Sequence, residues 1–261
     1  MSNRYGGEST LRRRSPVSVL RIHTNREFHN YLIRDALEKY SRIRAEAGQP
    51  LGVVLAIGAA HNEARILSEY PFEQVILTGI CDPDSETVAL MQERPVLQYR
   101  VENGEQLDVG SASADLTFCK EAMHHFARPV SGLYEMLRIT RSVAILIEPY
   151  DTSVGRLMER FGLSSIWESN QPNHGRTTNY VFRWSRRLLE TLLASYYVDS
   201  GWKLRIEVGW MRWSLNGHSL APIRALSVSL GWLVGLLPGN EGNYMTAVIE
   251  VGHDIPPPTR A

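Results

Sequence analysis

Five short stretches hold the residues that could do chemistry, and each lies where an apolar run gives way to a polar loop. The run Val53–Ile57 ends at Gly58 and is followed by Ala59, Ala60 and His61. A glycine between a strand and a helix leaves bare backbone, so a ligand can lie close to main-chain N–H groups with the helix dipole behind them. A second run, 75–81, ends in Asp82-Pro83-Asp84. A carboxylate there, one strand over from the Gly58 turn, is placed to accept both hydroxyls of a ribose; alternatively, Asp82 or Asp84 serves as the cap of the helix starting near Ser85. A third run leads into Glu102-Asn103-Gly104-Glu105, where Asn103 offers an acceptor and a donor to a base edge. Asn-Gly is equally a turn signal. The fourth is Lys120-Glu121-Ala122-Met123-His124-His125. Imidazole titrates near neutrality, so His124 or His125 could be a general base for a hydroxyl or phenol; the competing role is a histidine that holds loop backbone. Adjacent histidines cannot both face one metal from a helix, and no metal site is predicted. The fifth stretch, Glu148-Pro149-Tyr150-Asp151, adds two carboxylates and a phenol that would hold substrate or cap the next helix.

These loops need a scaffold, and the chain spells one out. Apolar runs of about five to six residues alternate with helical patterns: strands at Val53–Ile57, 75–81, Leu97–Val101, 114–119 and 143–147, helices at 61–70, Ser85–Glu93 and 130–139. Strands buried on both faces and separated by helices predict a parallel sheet. Right-handed crossovers make that sheet doubly wound, with ligand loops at the carboxyl ends of its strands. Ahead of it, Phe28, Leu32, Ala36, Leu37 and Tyr40 share one face of a helix that begins at Asn25 and stops at Gly48. Beyond it, 152–163 reads as a helix, 164–178 as a polar binding loop with Trp167 and His174, and 181–197 as a helix. A long strand at 202–213, an apolar helix at 220–237 and a last strand at 243–251 complete the pattern, the two strands forming an antiparallel pair at the sheet edge. The predicted organisation is a disordered arm at 1–20, a helical cap at 21–50, one domain at 51–252 with lid insertions at 152–180 and 214–240, and a tail at 253–261.

Composition narrows the partners. The 261 residues carry 28 Lys+Arg and 28 Asp+Glu, so no net charge draws the chain to a polyanion, and nucleic acid is not an expected partner. The basic N-terminus is followed by no apolar run, which argues against a secretory signal. Cys81 and Cys119 have no metal or CxxC spacing and read as thiols of a reducing cytoplasm. The apolar window at 225–237 is too short to cross a membrane.

Taken together, LAIGAA, LTGICDPDSETVALM, VENGEQLDV and SASADLTFCKEAMHHFARPVSGLYEMLRI resemble the class I S-adenosylmethionine-dependent methyltransferases, in particular the small-molecule, ubiquinone/menaquinone methyltransferase-like branch. The similarity spans 51–149, and its most specific part is the paired histidines followed by Glu135-Met136-Leu137-Arg138. The resemblance implies an α/β, Rossmann-like, seven-stranded sheet, mostly parallel with an antiparallel final strand and helices on both faces. It implies S-adenosyl-L-methionine as cofactor. Gly58, Ala59, Ala60 and His61 would wrap its methionine part, Asp82 and Pro83 would meet the ribose, Asn103, Gly104 and Glu105 would lie at the adenine, and Lys120 would line the pocket through its backbone. Glu148, Tyr150, His174 and Tyr180 would face the substrate. The chain departs from the family at Ala56, where an acidic residue usually helps hold the cofactor's amino group, at Ala60 and Asn62, which usually are glycines, and at Thr140-Arg141-Ser142, in place of a Pro-Gly-Gly turn. A lost charged hydrogen bond costs about 1.5–3 kcal/mol, or roughly ten- to a hundredfold in affinity.

The expected function is methyl transfer to a small-molecule acceptor, at oxygen, in specialised metabolism, by a cytoplasmic protein that is not membrane-inserted, with a homodimer left open. The alternative is a repurposed or non-catalytic member of the fold, such as a partner subunit or an enzyme of another reaction like cyclisation.

Overall fold

In the computed structural model, the described residues are 7–14, 24–161, 167–173, 176–197, 201–209, 233 and 242–251. In chain order the strands are β1 Glu8–Arg13, β2 Val53–Ile57, β3 Gln74–Gly79, β4 Leu97–Val101, β5 Ala114–Lys120, β6 Thr140–Pro149, β7 Trp167–Asn173, β8 Arg176–Tyr180, β9 Trp202–Gly209 and β10 Tyr244–Val251. The helices are α1 Asn25–Glu46, α2 His61–Leu67, α3 Ser85–Glu93, α4 Pro129–Ile139, α5 Ser153–Arg160 and α6 Arg186–Tyr196, with a 3-10 turn at Met123–His125.

Eight strands form one sheet in the order β1-β9-β10-β6-β5-β2-β3-β4. From β6 to β4 every neighbouring pair is parallel. β10 runs antiparallel to both β6 and β9. This corrects the seven-stranded expectation: an eighth strand, β1, pairs parallel with β9 from Glu8↔Lys203 to Arg13↔Val208. It lies within the arm expected to be disordered. Its sequence, ESTLRR, has no apolar alternation, and its pairing partner is nearly 200 residues away. A second correction concerns 164–178, expected as a loop. It contributes to an antiparallel hairpin of β7 and β8, Trp167 opposite Tyr180. The expected helix at 220–237 and the tail lie outside the described residues, apart from Leu233.

Alternation along the strands explains the two cores. Val54 and Ala56 of β2 point to a layer built by Phe28, Leu32, Leu37 and Tyr40 of α1 together with Ala64 and Leu67 of α2. Leu55 and Ile57 point the other way, toward Leu133, Met136 and Leu137 of α4 and Leu189 and Leu193 of α6. The central strands are therefore apolar at successive positions because both faces are covered. The α1 helix is started by Thr24, whose Oγ1 accepts from Glu27 N–H at 3.1 Å while the Glu27 carboxylate accepts from Thr24 N–H at 3.3 Å. It is tied to the sheet by Tyr40, whose hydroxyl donates to the Leu51 carbonyl, and to α2 by Asn62, whose amide donates to Asn30 Oδ1 at 2.8 Å.

Candidate functional site

The carboxyl ends of β2, β3, β4, β5 and β6 share one edge of the sheet, and all five stretches singled out in the sequence meet there. At the end of β2 the chain turns at Gly58, with φ +63°. That angle favours glycine, and a Cβ at this position would stand 2.4 Å from the Ala122 Cβ. The turn is fastened below by Ala59 N–H, which donates to the Thr78 carbonyl at 3.1 Å, and by Ala60 N–H, which donates to Glu63 Oε2 at 3.2 Å. Gly58 and Ala60 remain exposed, Ala59 is buried, and His61 is half-buried with its Nδ1 lacking a hydrogen-bond partner.

Beyond β3 the structure separates the two aspartates. Asp84 is the α3 N-cap, its Oδ1 accepting from Thr87 N–H at 2.7 Å, and that bond holds its carboxyl below the usual range. Asp82 is exposed and makes no hydrogen bond or ion pair among the described residues. The capping requirement is met by one residue, which leaves the other available to a ligand. Pro83 is half-buried beside it, and Ile80, 50% exposed, offers an aliphatic surface at the same strand end.

After β4 the turn is closed by its own side chains. Asn103 Oδ1 accepts from Glu105 N–H at 3.0 Å, and the residue is exposed. Gly104 is buried where a Cβ would meet Phe126 Cζ at 2.5 Å and Ile57 Cγ2 at 2.9 Å. Glu105 does not face this mouth. Its two oxygens accept from Arg128 N–H and Nε at 2.9 and 2.8 Å; burial works against its charge, but those bonds win and its carboxyl lies below the ordinary value. Its expected place at the adenine is thus corrected to a brace on the start of α4.

The largest surprise lies after β5 and β6. Glu148 is fully buried. Its Oε1 accepts from Ala122 N–H at 3.1 Å and Met123 N–H at 2.9 Å, and its Oε2 stands 2.5 Å from His124 Nδ1. Both oxygens are occupied by the chain, so Glu148 is a loop anchor, not a substrate contact. His124 is its partner and is 3% exposed. His125 is half-buried, its ring 4.0 Å from that of His124, and burial followed by His124 pushes its pKa down to about 4. It is neutral at pH 7 but a weak base. Tyr150 is buried, with its backbone bridged to Trp184, and belongs to the core rather than to the mouth. Tyr180 is 50% exposed at the end of the β7–β8 hairpin, whose β8 strand runs beside the Met123–His125 turn. His174 lies outside the described residues.

Sequence reasoning missed a buried charge chain at this edge. Lys120 Nζ sits 3.3 Å from Glu63 Oε1 and 2.8 Å from Glu121 Oε2, and Glu121 Oε2 sits 3.0 Å from His29 Nδ1 on α1. Burial works against the Lys120 charge, but Glu121 and Glu63 outweigh it and hold the ammonium's pKa above its ordinary value. Glu121 has φ +48°, a left-handed conformation that a side chain of this kind rarely adopts. A glutamate three residues after a helix start and a histidine on the apolar face of α1 were the available signals. A separate cleft of about 600 Å³, lined by Arg44, Ser142, Trp202 and Val251 among others, opens at the opposite, amino-terminal end of the sheet and takes no part in this site.

With the geometry in place, comparison with known proteins is decisive for the fold. Residues 55–147 match the model of the family described as "Methyltransferase domain". That segment runs from β2 through most of β6 and holds the loops after β2, β3, β4 and β5. Three solved structures are similar over most of the chain. One from Galdieria sulphuraria, solved as a candidate sarcosine dimethylglycine methyltransferase, has a TM-score of 0.52 at 14% identity, covering 85% of this chain and 87% of its own. The YcgJ protein of Bacillus subtilis has a TM-score of 0.50 at 15% identity, covering 84% and 99%. Magnesium protoporphyrin IX methyltransferase of Synechocystis, solved with bound SAH, has a TM-score of 0.50 at 10% identity, covering 84% and 82%. At such identities the likeness establishes the Rossmann-like methyltransferase fold. No curated protein sequence matches the chain. Among the described residues no helix is long and apolar enough to cross a membrane, and no group of His, Cys, Asp and Glu could hold a metal ion.

Proposed function

We propose that this protein transfers a methyl group from S-adenosylmethionine to a small-molecule acceptor, at an oxygen atom. The observation that carries the reading is Asp82, an exposed carboxylate left without a partner among the described residues because Asp84 caps α3, one strand over from the open Gly58 turn. The match of 55–147 to a methyltransferase domain and the SAH bound by the Synechocystis relative support the choice of cofactor. The residues suit the group chemically. Asp82 can accept from two ribose hydroxyls, Ile80 and Pro83 offer apolar surface to a ring, the exposed Asn103 amide can meet a base edge, and the bare backbone at the exposed Gly58 lets a ligand lie close. Gly104 and Lys120 complete the proposed lining, Lys120 through its backbone.

When bound, the cofactor supplies an electrophilic methyl group on a positively charged sulfur. What this chain contributes is position: in-line attack needs the nucleophile, the methyl carbon and the sulfur aligned, and rigid strand ends hold that alignment.

A non-catalytic or repurposed protein is the second reading. It is favoured by Ala56, which is fully buried and offers no acid, and by Lys120, which already occupies Glu63 and Glu121. Calorimetric titration with S-adenosylmethionine and S-adenosylhomocysteine separates the two. Saturable binding that is lost in Asp82→Ala supports methyl transfer; no heat at millimolar ligand leaves the second reading standing.

A further inference from the structure

We propose that His29 takes the proton from the acceptor, its imidazole steadied by the Tyr244 ring, an inference that rests on the methyl-transfer reading. Both residues lie outside the segment that matches the methyltransferase domain, on α1 and at the start of β10. They meet at the site as a stacked pair, ring centroids 5.6 Å apart and planes inclined by 24°. The Glu121 carboxylate, 3.0 Å from Nδ1, fixes the other edge of the imidazole.

What remains is an unsatisfied atom. His29 Nε2 is buried and has no hydrogen-bond partner among the described residues. The Tyr244 hydroxyl faces the Glu121 carboxylate instead. A buried polar atom without a partner is rare and calls for an explanation. A molecule bearing an O–H or N–H supplies one, its proton facing the Nε2 lone pair.

The chemistry of the surroundings fits a base. Burial pushes the His29 pKa below its ordinary 6.5, more than Glu121 raises it; Lys120 adds to the fall and Glu63 opposes it. The ring is therefore neutral at pH 7, with a lone pair to offer. The proton that leaves the acceptor goes to Nε2, and the imidazolium so formed is balanced by Glu121. That carboxylate is held in its left-handed conformation by the contact with Lys120 and by its own N–H, which donates to the Ile147 carbonyl at 3.0 Å. Four contacts in line, Ala60 to Glu63 to Lys120 to Glu121 to His29, tie this base to the Gly58 turn. Of His29, His124 and His125, His29 is the one with a buried ring nitrogen left without a partner, and His125 is the weaker base.

The test uses the full chain with ¹⁵N-labelled histidine. With S-adenosylhomocysteine bound at pH 7, the His29 Nε2 resonance is expected in the unprotonated range and Nδ1 in the protonated one. Glu121→Gln should scramble that preference, and Glu121→Asp should restore it. On an acceptor that the wild-type protein methylates, His29→Gln should lower kcat about a hundredfold or more while cofactor affinity changes by less than about threefold. A protonated Nε2 at pH 7, or His29→Gln with unchanged kcat, overturns the assignment while leaving methyl transfer intact. Failure of the wild-type protein to bind S-adenosylhomocysteine removes the methyl-transfer reading, and this assignment with it.

Discussion

Glu148 Oε2 stands 2.5 Å from His124 Nδ1 in a place neither side chain shares with water. The same carboxylate accepts two backbone N–H groups through its other oxygen, so one buried acid shapes the whole Ala122–His125 turn. Removing one partner of such a pair strands the other. Glu148→Ala should lower unfolding free energy by roughly 3–5 kcal/mol in urea titrations. A loss below about 1 kcal/mol would show that the turn stands without its anchor.

The two aspartates after β3 should part company under mutation. Asp84→Ala removes a helix cap and should cost about 0.5–2 kcal/mol of stability with little effect on nucleoside affinity. Asp82→Ala should leave stability within about 0.5 kcal/mol and weaken S-adenosylhomocysteine roughly ten- to a hundredfold. Thermal melts and calorimetry on the same two proteins read both effects; equal behaviour of the pair would contradict the division of labour.

Gly58 faces two obstacles to substitution, its φ of +63° and the Ala122 Cβ 2.4 Å from where its own Cβ would stand. Gly58→Ala should destabilise by about 1–2 kcal/mol from the backbone conformation, and by more from the clash. Ala122→Gly in the same chain relieves the clash alone, so the double variant should recover part of the loss. Full recovery in denaturant titration would mean that the backbone angle is unstrained.

His125 sets an acid limit on stability. Its folded pKa of about 4 lies below the ordinary 6.5, so the unfolded chain binds the extra proton first. The contribution is present in full above pH 6.5, is lost progressively as the pH falls, and is gone below about 4. His29 is shifted in the same direction and acts in the same sense. Replacing His125 by Asn should flatten the stability–pH curve between pH 4 and 6.5, by up to one proton's worth of slope, in unfolding experiments across that range.

Local pattern was enough for the central sheet. β2 and α3 begin and end where their apolar run and cap do, because β2, covered on both faces, is apolar at every position and Asp84 supplies a cap immediately before Ser85. The placement of all five polar stretches at one sheet edge followed from the alternation of strand and helix, since parallel strands all end on the same side. β1 was illegible: six mostly polar residues become a strand only because β9 offers them an unpaired edge. The β7–β8 hairpin was hidden for the same reason, its residues carrying polar side chains without strand-like alternation.

Within the site, local pattern is enough to say which residues arrive at the carboxyl edge. Which of them have oxygens and nitrogens left to offer depends on packing between distant segments. Asp82 and Asp84 are two positions apart and chemically identical, and only the α3 geometry assigns the cap to one. Glu105 and Glu148 carry the right functional group in the right loops, yet Arg128 and the Ala122–His125 turn consume them. His29 and Tyr244, 215 positions apart, acquire meaning only when α1 and β10 bring their rings together over Glu121. Hydrogen-bonding capacity is finite, and its allocation is settled by contacts between segments far apart in the chain, which no local pattern records.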